Sequence, residues 1–407
     1  MTRGFSIRQC LDKSKIKNQK SKMSFALASE IVHTPPQTVN LRRIERELTA
    51  LRQNNMAGDI PMLRACTLTL VVFCGLGQDP ANLETLLTQI VSSNPARVIL
   101  IAAPKPGEPW IETRISCYHV EQGATRRQVG EEIDFYPRGA QYDSMPSAVL
   151  GLRVSGLPFA LYWRGQPDLD DRLFRALVGE ADQILFDSAH FTARAERVNN
   201  TIARLRLDYP QVSFGDINWQ RIRPWREMVA QFFDDPGSMT FLDRITRVQI
   251  EFSTGLNGNQ SAAILMMAWL ASSLGWRVAP GSYERDGMTR RARFISRGYA
   301  SAEREIEVAI HVREQNDCAP GELTGIRLTT PGEAPDAIFQ VKRIEGGLAD
   351  IQELSPNRYV KRSAALRVPH ESSVLVAELD APRRDRNYHR ALEALDSLVS
   401  GSNRLAF

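Results

Sequence analysis

The chain has 407 residues, 43% hydrophobic and 24% charged, with a formal net charge of +4. That length exceeds what a single hydrophobic core organises, so two domains are expected, and the composition is that of an ordinary globular protein. Much of the positive charge is local: Met1 to Lys22 holds seven basic residues against the one acid Asp12, which leaves the remaining chain slightly acidic and argues against a nucleic-acid-binding body.

Residues 1–22 read as a basic tail, disordered or a mis-assigned start, because they lack the apolar core of a secretory signal and Met23-Ser24-Phe25 makes a natural beginning. Leu41, Ile44, Leu48 and Leu51 mark the apolar face of a charged helix. That face packs on the domain or, in a rival reading, joins copies of the chain, although the seam lasts under two heptads. Cys66 to Cys74, CTLTLVVFC, is a buried strand. Gly75-Leu76-Gly77 after it suggests a dinucleotide loop, but Pro80 stands where the third glycine belongs, so no cofactor is expected. A helix follows over 81–92, then a strand from Arg97 to Ala103.

Trp110 to Val120 and Gln128 to Tyr136 alternate apolar and polar residues, as antiparallel neighbours about a Gly123 turn would. Helices over 146–154, 169–178 and 192–207 then alternate with strands over 158–163, 183–186 and 212–217. This alternation predicts an α/β domain over 23–235, with a doubly wound, mostly parallel sheet and an antiparallel extension. In such sheets ligands gather beyond the carboxyl ends of the strands. Arg164, Asp187, Ser188, Asp216 and Asn218 all sit there and form a candidate crevice. The plainer reading is that the four residues after Arg164 cap the following helices and that Arg164 pairs with an acid.

Asp216 to Asp234, DINWQRIRPWREMVAQFFD, concentrates Trp219, Trp225, Arg221, Arg223 and Arg226 in one corner. From Pro224 on, Trp225, Met228, Val229, Phe232 and Phe233 recur at helical spacing, up to a stop at Asp235-Pro236-Gly237. Aromatic packing with solvated arginines is one reading; an exposed partner-binding corner is the other, since Trp and Arg are enriched in interface hot spots.

Beyond 236 an α+β domain is expected: a strand over 245–252, a helix over 259–274 closed by Gly275, and short strands over 293–295, 306–312, 322–329 and 338–344, with a last helix over 388–399. Arg290, Arg291 and Arg293 make a small basic patch. The five cysteines are scattered and odd in number, which fits a reducing, cytoplasmic setting, and the six histidines show no metal-ligand spacing. The longest apolar run, 262–270, is far short of the ~20 residues of a membrane span. No histidine or cysteine stands near Ser188 except His190, and no glycine elbow surrounds it, so no catalytic residue is expected.

Five segments together carry a resemblance: PARVILI (95–101), LPFALYWRG (157–165), ADQILFDSAHF (181–191), DINWQRIRPWREMVAQFFD (216–234) and AWLASSLGW (268–276). In order and spacing the chain resembles the OpcA family, the glucose-6-phosphate dehydrogenase assembly proteins of bacteria. Gly156 replaces an acid usual before the strand motif, and Tyr162 replaces one of a tryptophan pair. The resemblance implies a non-catalytic activator that binds glucose-6-phosphate dehydrogenase, promotes its active oligomer and so supports the oxidative pentose phosphate pathway and NADPH supply. Trp163, Arg164, Trp219, Arg221, Arg223, Trp225 and Arg226 are then candidate contact residues, with metabolite or redox control left open. The rival is a sugar-phosphate or nucleotide sensor, or a minor hydrolase, using the crevice.

Overall fold

The computed structural model describes residues 24–26, 40–54, 66–75, 83–122, 125–191, 202, 204–253, 259–279, 282–287, 289–297, 303–315, 317–331, 336–356, 358–380 and 385–403. The basic tail, the loop at 76–82, the Gly123 turn and most of the helix expected over 192–207 lie outside them.

Strands β1 (Ser24–Ala26), β2 (Leu68–Cys74), β3 (Ala96–Ala102), β4 (Trp110–Gln122), β5 (Thr125–Arg138), β6 (Phe159–Arg164), β7 (Gln183–Phe186) and β8 (Ser213–Asp216) form the first sheet. Their order is β1-β4-β5-β3-β2-β6-β7-β8. Every pairing from β5 to β8 is parallel, and β1 and β4 pair antiparallel at one side. The expected mostly parallel sheet with its antiparallel extension is therefore present. Strand order reverses at β2, where β3 lies on one flank and β6 on the other, and such reversals open a crevice at the strands' carboxyl ends.

Both faces of this sheet are covered, which explains why its central strands are continuously apolar. Leu70, Val72, Val98, Leu100, Ala160 and Tyr162 point to one face and pack under helix α2 (Glu84–Ser93). The alternate residues Val71, Phe73, Ile99, Ile101, Leu161 and Trp163 point to the other. There they meet α1 (Leu41–Asn54), α3 (Met145–Leu152) and α4 (Arg172–Glu180). A buried arginine ties this layer together: Arg97 donates to Glu131 at 2.8 Å, to Glu45 of α1 at 2.5 Å and to the Leu152 carbonyl at 2.9 Å. Leu48 is completely buried, so the apolar face of α1 is spent on its own domain rather than on a second copy.

The corner after β8 folds as two short helices, α5 (Ile217–Arg221) and α6 (Arg223–Gln231), followed by α7 (Pro236–Met239). The second sheet takes β9 (Arg247–Phe252), β10 (Arg277–Val278), β11 (Glu284–Asp286), β12 (Thr289–Arg297), β13 (Glu303–Val312), β14 (Leu323–Thr330), β15 (Ala337–Ile344), β16 (Leu348–Ser355) and β17 (Arg358–Ala365). Its main path runs β10-β12-β13-β9-β14-β15-β16-β17 and is antiparallel except at β9–β13. Helix α8 (Ser261–Ser273) is buried on nearly every side and packs against β9. It ends as its sequence predicts: Gly275 adopts φ +65°, and Trp276 N–H donates to the Ala271 carbonyl at 2.9 Å.

Two late helices complete the chain. α10 (Arg386–Asn403) packs on α8, while α9 (Glu371–Asp380) crosses back to the first sheet and lays Val374 and Leu375 against the face shared with α2. Among the described residues no helix is long and apolar enough to cross a membrane.

Candidate functional site

Asp187 and Asp216 end the neighbouring strands β7 and β8, and each turns the chain into the next helix by accepting a backbone N–H. Asp187 takes that of Ala189 at 3.1 Å, and Asp216 that of Asn218 at 2.9 Å. Asp216 also accepts Ser188 N–H at 3.1 Å, and Asn218 Nδ2 donates to Ser188 Oγ at 3.0 Å. Asp187, Ser188, Asp216 and Asn218 are thus brought together at the strand ends; the last three bond to one another, and all four are buried. They form the floor of the site rather than its mouth. Ser188 Oγ faces an amide, and the nearby imidazole of His190 lies 3.2 Å from Asp187 instead.

Arg221 reaches across from α5 and grips Asp187 with two hydrogen bonds, at 2.5 and 2.7 Å. Burial alone would raise the Asp187 pKa, but the Arg221 charge and the His190 hydrogen bond overcome it and hold the carboxyl well below its usual range. Burial likewise opposes the Arg221 charge, yet Asp187 raises its pKa further still. Among the described residues, no cation plays that part at Asp216. Burial, then the neighbouring Asp187 charge, push its pKa up to about 6.

A second node lies at the end of β6. Tyr162 donates its hydroxyl to Glu371 of α9 at 2.6 Å, Arg164 sits 3.1 Å from the same carboxylate, and Arg221 approaches it to 4.0 Å. Glu371 gave no signal in the sequence because its partners lie some two hundred positions earlier. A local pattern cannot announce such a contact. Asn259, ahead of α8, is a second residue of this kind: its side-chain amide reaches the carbonyls of Ser188, Ala189 and Phe191 at 2.9, 2.8 and 3.0 Å. Asp187, His190 and Glu371 bring ligand atoms within 4.8 Å of one another, a spacing a metal could use. The Arg221 guanidinium already occupies both Asp187 oxygens, however, so a divalent ion would meet a fixed positive charge, and the trio is better described as an ion-pair network.

The tryptophans require a correction. Trp163, Trp219 and Trp225 were expected in a contact corner, but all three are at most 2% exposed. Trp163 stacks on Phe73 at 3.8 Å and meets Phe174 edge-on at 4.8 Å. Trp219 donates Nε1–H to Asp385 at 2.7 Å, with the Arg226 guanidinium 3.6 Å above its ring. Burial lowers the Arg226 pKa to about 10 despite Asp385 nearby. The aromatic spacing that marks an interface anchor also marks a core, and here the core took it. Arg223 alone of the corner stands well out of the surface, with 66% of its side chain exposed and a 2.7 Å contact to Glu227.

Next to this floor lies a cavity of about 390 Å³, between the turn after β7, the α5–α6 corner and the segment leading into β14. Arg164, Asp187, Ser188 and Asp216 do not line it; Asn218 and Arg221 do, joined by His190, Glu322 and Arg343. Cys318 sits at its edge, 3.4 Å from Glu322, and burial pushes that thiol up to about 12, which does not favour a reactive thiolate.

Solved structures resemble the fold at low identity: biliverdin reductase from Synechocystis sp. PCC 6803 (7% identity, TM-score 0.43, covering 84% of this chain and 100% of that one) and glucose-6-phosphate 1-dehydrogenase from Mycobacterium avium (11%, 0.44, 82% and 92%). Likeness at that level carries no argument about ligand or activity. Sequence comparison is more specific. The chain is 27% identical over 253 residues to a protein of Nostoc punctiforme provisionally named OxPP cycle protein OpcA, covering 61% of this chain and 52% of that protein. A namesake from Synechocystis sp. is 26% identical over 197 residues, 48% of this chain and 40% of its own length, so the chain aligns with about half of these relatives. Residues 87–203 match the family described as the glucose-6-phosphate dehydrogenase subunit N-terminal domain, and residues 212–392 match its C-terminal domain. With both segments present in order over most of its length, the chain belongs to the OpcA family of glucose-6-phosphate dehydrogenase assembly proteins.

Proposed function

We propose that the protein is a non-catalytic partner of glucose-6-phosphate dehydrogenase that binds the enzyme, promotes its active oligomer and raises its activity. The observation that carries this reading is the consecutive match of two segments, each described by reference to a subunit of that enzyme. The action is a population shift: the partner binds the assembled, active enzyme more tightly than the inactive form. A differential affinity of about 1.4 kcal/mol moves that equilibrium tenfold. Such a protein would control entry to the oxidative pentose phosphate pathway and, with it, NADPH supply.

The candidate contact residues divide by burial. Arg223 and its neighbour Glu227 are exposed on α6 and are proposed to touch the partner directly. Arg221 and Arg226, with Trp219 and Trp225, are proposed to act from beneath by fixing α5 and α6, and Arg164 and Trp163 by fixing the end of β6. The test mixes this protein with glucose-6-phosphate dehydrogenase from the same source and follows native mass and initial rate in one titration. A heavier species that appears together with a rise in rate supports the proposal. Unchanged masses and an unchanged rate, across salt and redox conditions, would sink it.

A further inference from the structure

We propose that the cavity between the first sheet's strand ends and the second sheet binds a small, uncharged, polyhydroxylated molecule of about monosaccharide size. Arg221 and Trp225, proposed above as internal supports of α5 and α6, each turn part of their surface to this cavity. At about 390 Å³ the cavity lies at the small end of ligand pockets, which run from about 300 to 1,000 Å³, so a compact ring fits the scale better than a dinucleotide does.

The wall chemistry sets the class of ligand. Both guanidiniums in the wall already have a carboxylate of their own: Arg221 has Asp187, at 2.5 and 2.7 Å, and Arg343 has Glu322, at 2.6 Å. An anionic ligand would have to displace one of these acids, and Asp187 is wholly buried under its arginine. A cationic ligand would face the two guanidiniums. The wall therefore offers little net pull on an ion, but it carries donors and acceptors at fixed positions. His190 is partly open to solvent, and Asn218 and Glu322 line the same wall. Hydroxyl groups, which both donate and accept, are the natural match for such a mixed set.

Ile222, Trp225, Leu323 and Val368 supply an apolar side against which the C–H face of a ring can rest. Because the ion pairs hold the polar side chains in place beforehand, little side-chain freedom is lost on binding. The two family segments both contribute to the wall, so an occupant would also brace one sheet against the other.

Saturation-transfer NMR on the full chain tests the site with four probes: D-glucose, myo-inositol, glucose 6-phosphate and inorganic phosphate. Saturation of at least one uncharged probe is expected, with no transfer detected by phosphorus-observed titration of inorganic phosphate. Ala319→Trp fills the exposed rim of the cavity and should weaken that binding at least tenfold. Glu322→Gln leaves Arg343 unmatched and should weaken the uncharged probe while admitting phosphate; it keeps the test open if the rim variant does not fold. The proposal is overturned if neither uncharged probe binds, if the phosphorylated probes bind the native chain more tightly than glucose does, or if a folded Ala319→Trp chain binds the uncharged probe as well as the native one.

Discussion

Asp187 and Asp216 are neighbours on adjacent strand ends, both fully buried, and their titrations move in opposite directions. The difference is the Arg221 guanidinium, helped by the His190 hydrogen bond. Because the folded pKa of Asp216 is raised to about 6, the folded state holds its proton where the unfolded chain has lost it. Its contribution is thus present below the unfolded value and is lost as pH rises through the folded one, by about 3 kcal/mol on the usual conversion. Asp216→Asn keeps an oxygen for the N–H groups of Ser188 and Asn218 and removes the charge. It is expected to match the native protein near pH 4 and to exceed its stability by up to about 3 kcal/mol above pH 7, read from urea melts across that range; a gain independent of pH would refute the assignment. Asp187 has the opposite sign. Its contribution is present above the unfolded carboxylate value and is lost as pH falls through its depressed folded pKa.

Trp219 gives the second residue-scale prediction. Its ring is 1% exposed, covered by Arg226 and anchored on Asp385. Trp219→Ala should cost about 3–5 kcal/mol of stability in thermal or denaturant unfolding. A loss within experimental error of zero would show that the corner is not core.

At the scale of elements, α9 is the informative case. Nothing in ESSVLVAELD marks it out beyond Val374 and Leu375, yet it closes one face of the first sheet. It is held at several points along its length: Glu371 by Tyr162 and Arg164, the Glu378 carbonyl by Gln183, and the Glu378 carboxylate by Gln220. Leu375→Ala is expected to lose about 2–5 kcal/mol and to speed hydrogen exchange in β6 and β7 more than in β15 and β16. Uniform acceleration over both sheets would mean that α9 is not a separate clamp. By contrast, α8 was legible from sequence, because its all-round apolarity and its Gly275 stop are local properties.

At the scale of the whole molecule, α6 turns its aromatic stripe inward and its polar side, with Arg223 and Glu227, outward, so the proposed contact with the enzyme falls on that polar side. Arg223→Glu is expected to leave the melting temperature of the isolated protein within about a degree or two, since exposed substitutions usually change stability by no more than about 0.5 kcal/mol. The same change should weaken association with glucose-6-phosphate dehydrogenase several-fold in an affinity titration. Undiminished affinity would move the contact surface away from α6.

Sequence alone determined what depends on neighbours in the chain. Period-2 and continuous apolar runs placed β2 to β8 of the first sheet, though not the short edge strand β1, and alternation with helices implied its parallel order. Five ordered segments placed the chain in its family. Aspartates and an asparagine at strand ends predicted the capped turns that the structure contains at Asp187 and Asp216. Tertiary structure alone decided which side of each amphipathic group faces inward, because burial depends on what the rest of the chain brings opposite it. It turned Trp163, Trp219 and Trp225 into core, gave Arg221 to Asp187, and brought Glu371 back to β6. It also opened the space beside Asn218 and Arg343, which only the meeting of two distant segments could enclose.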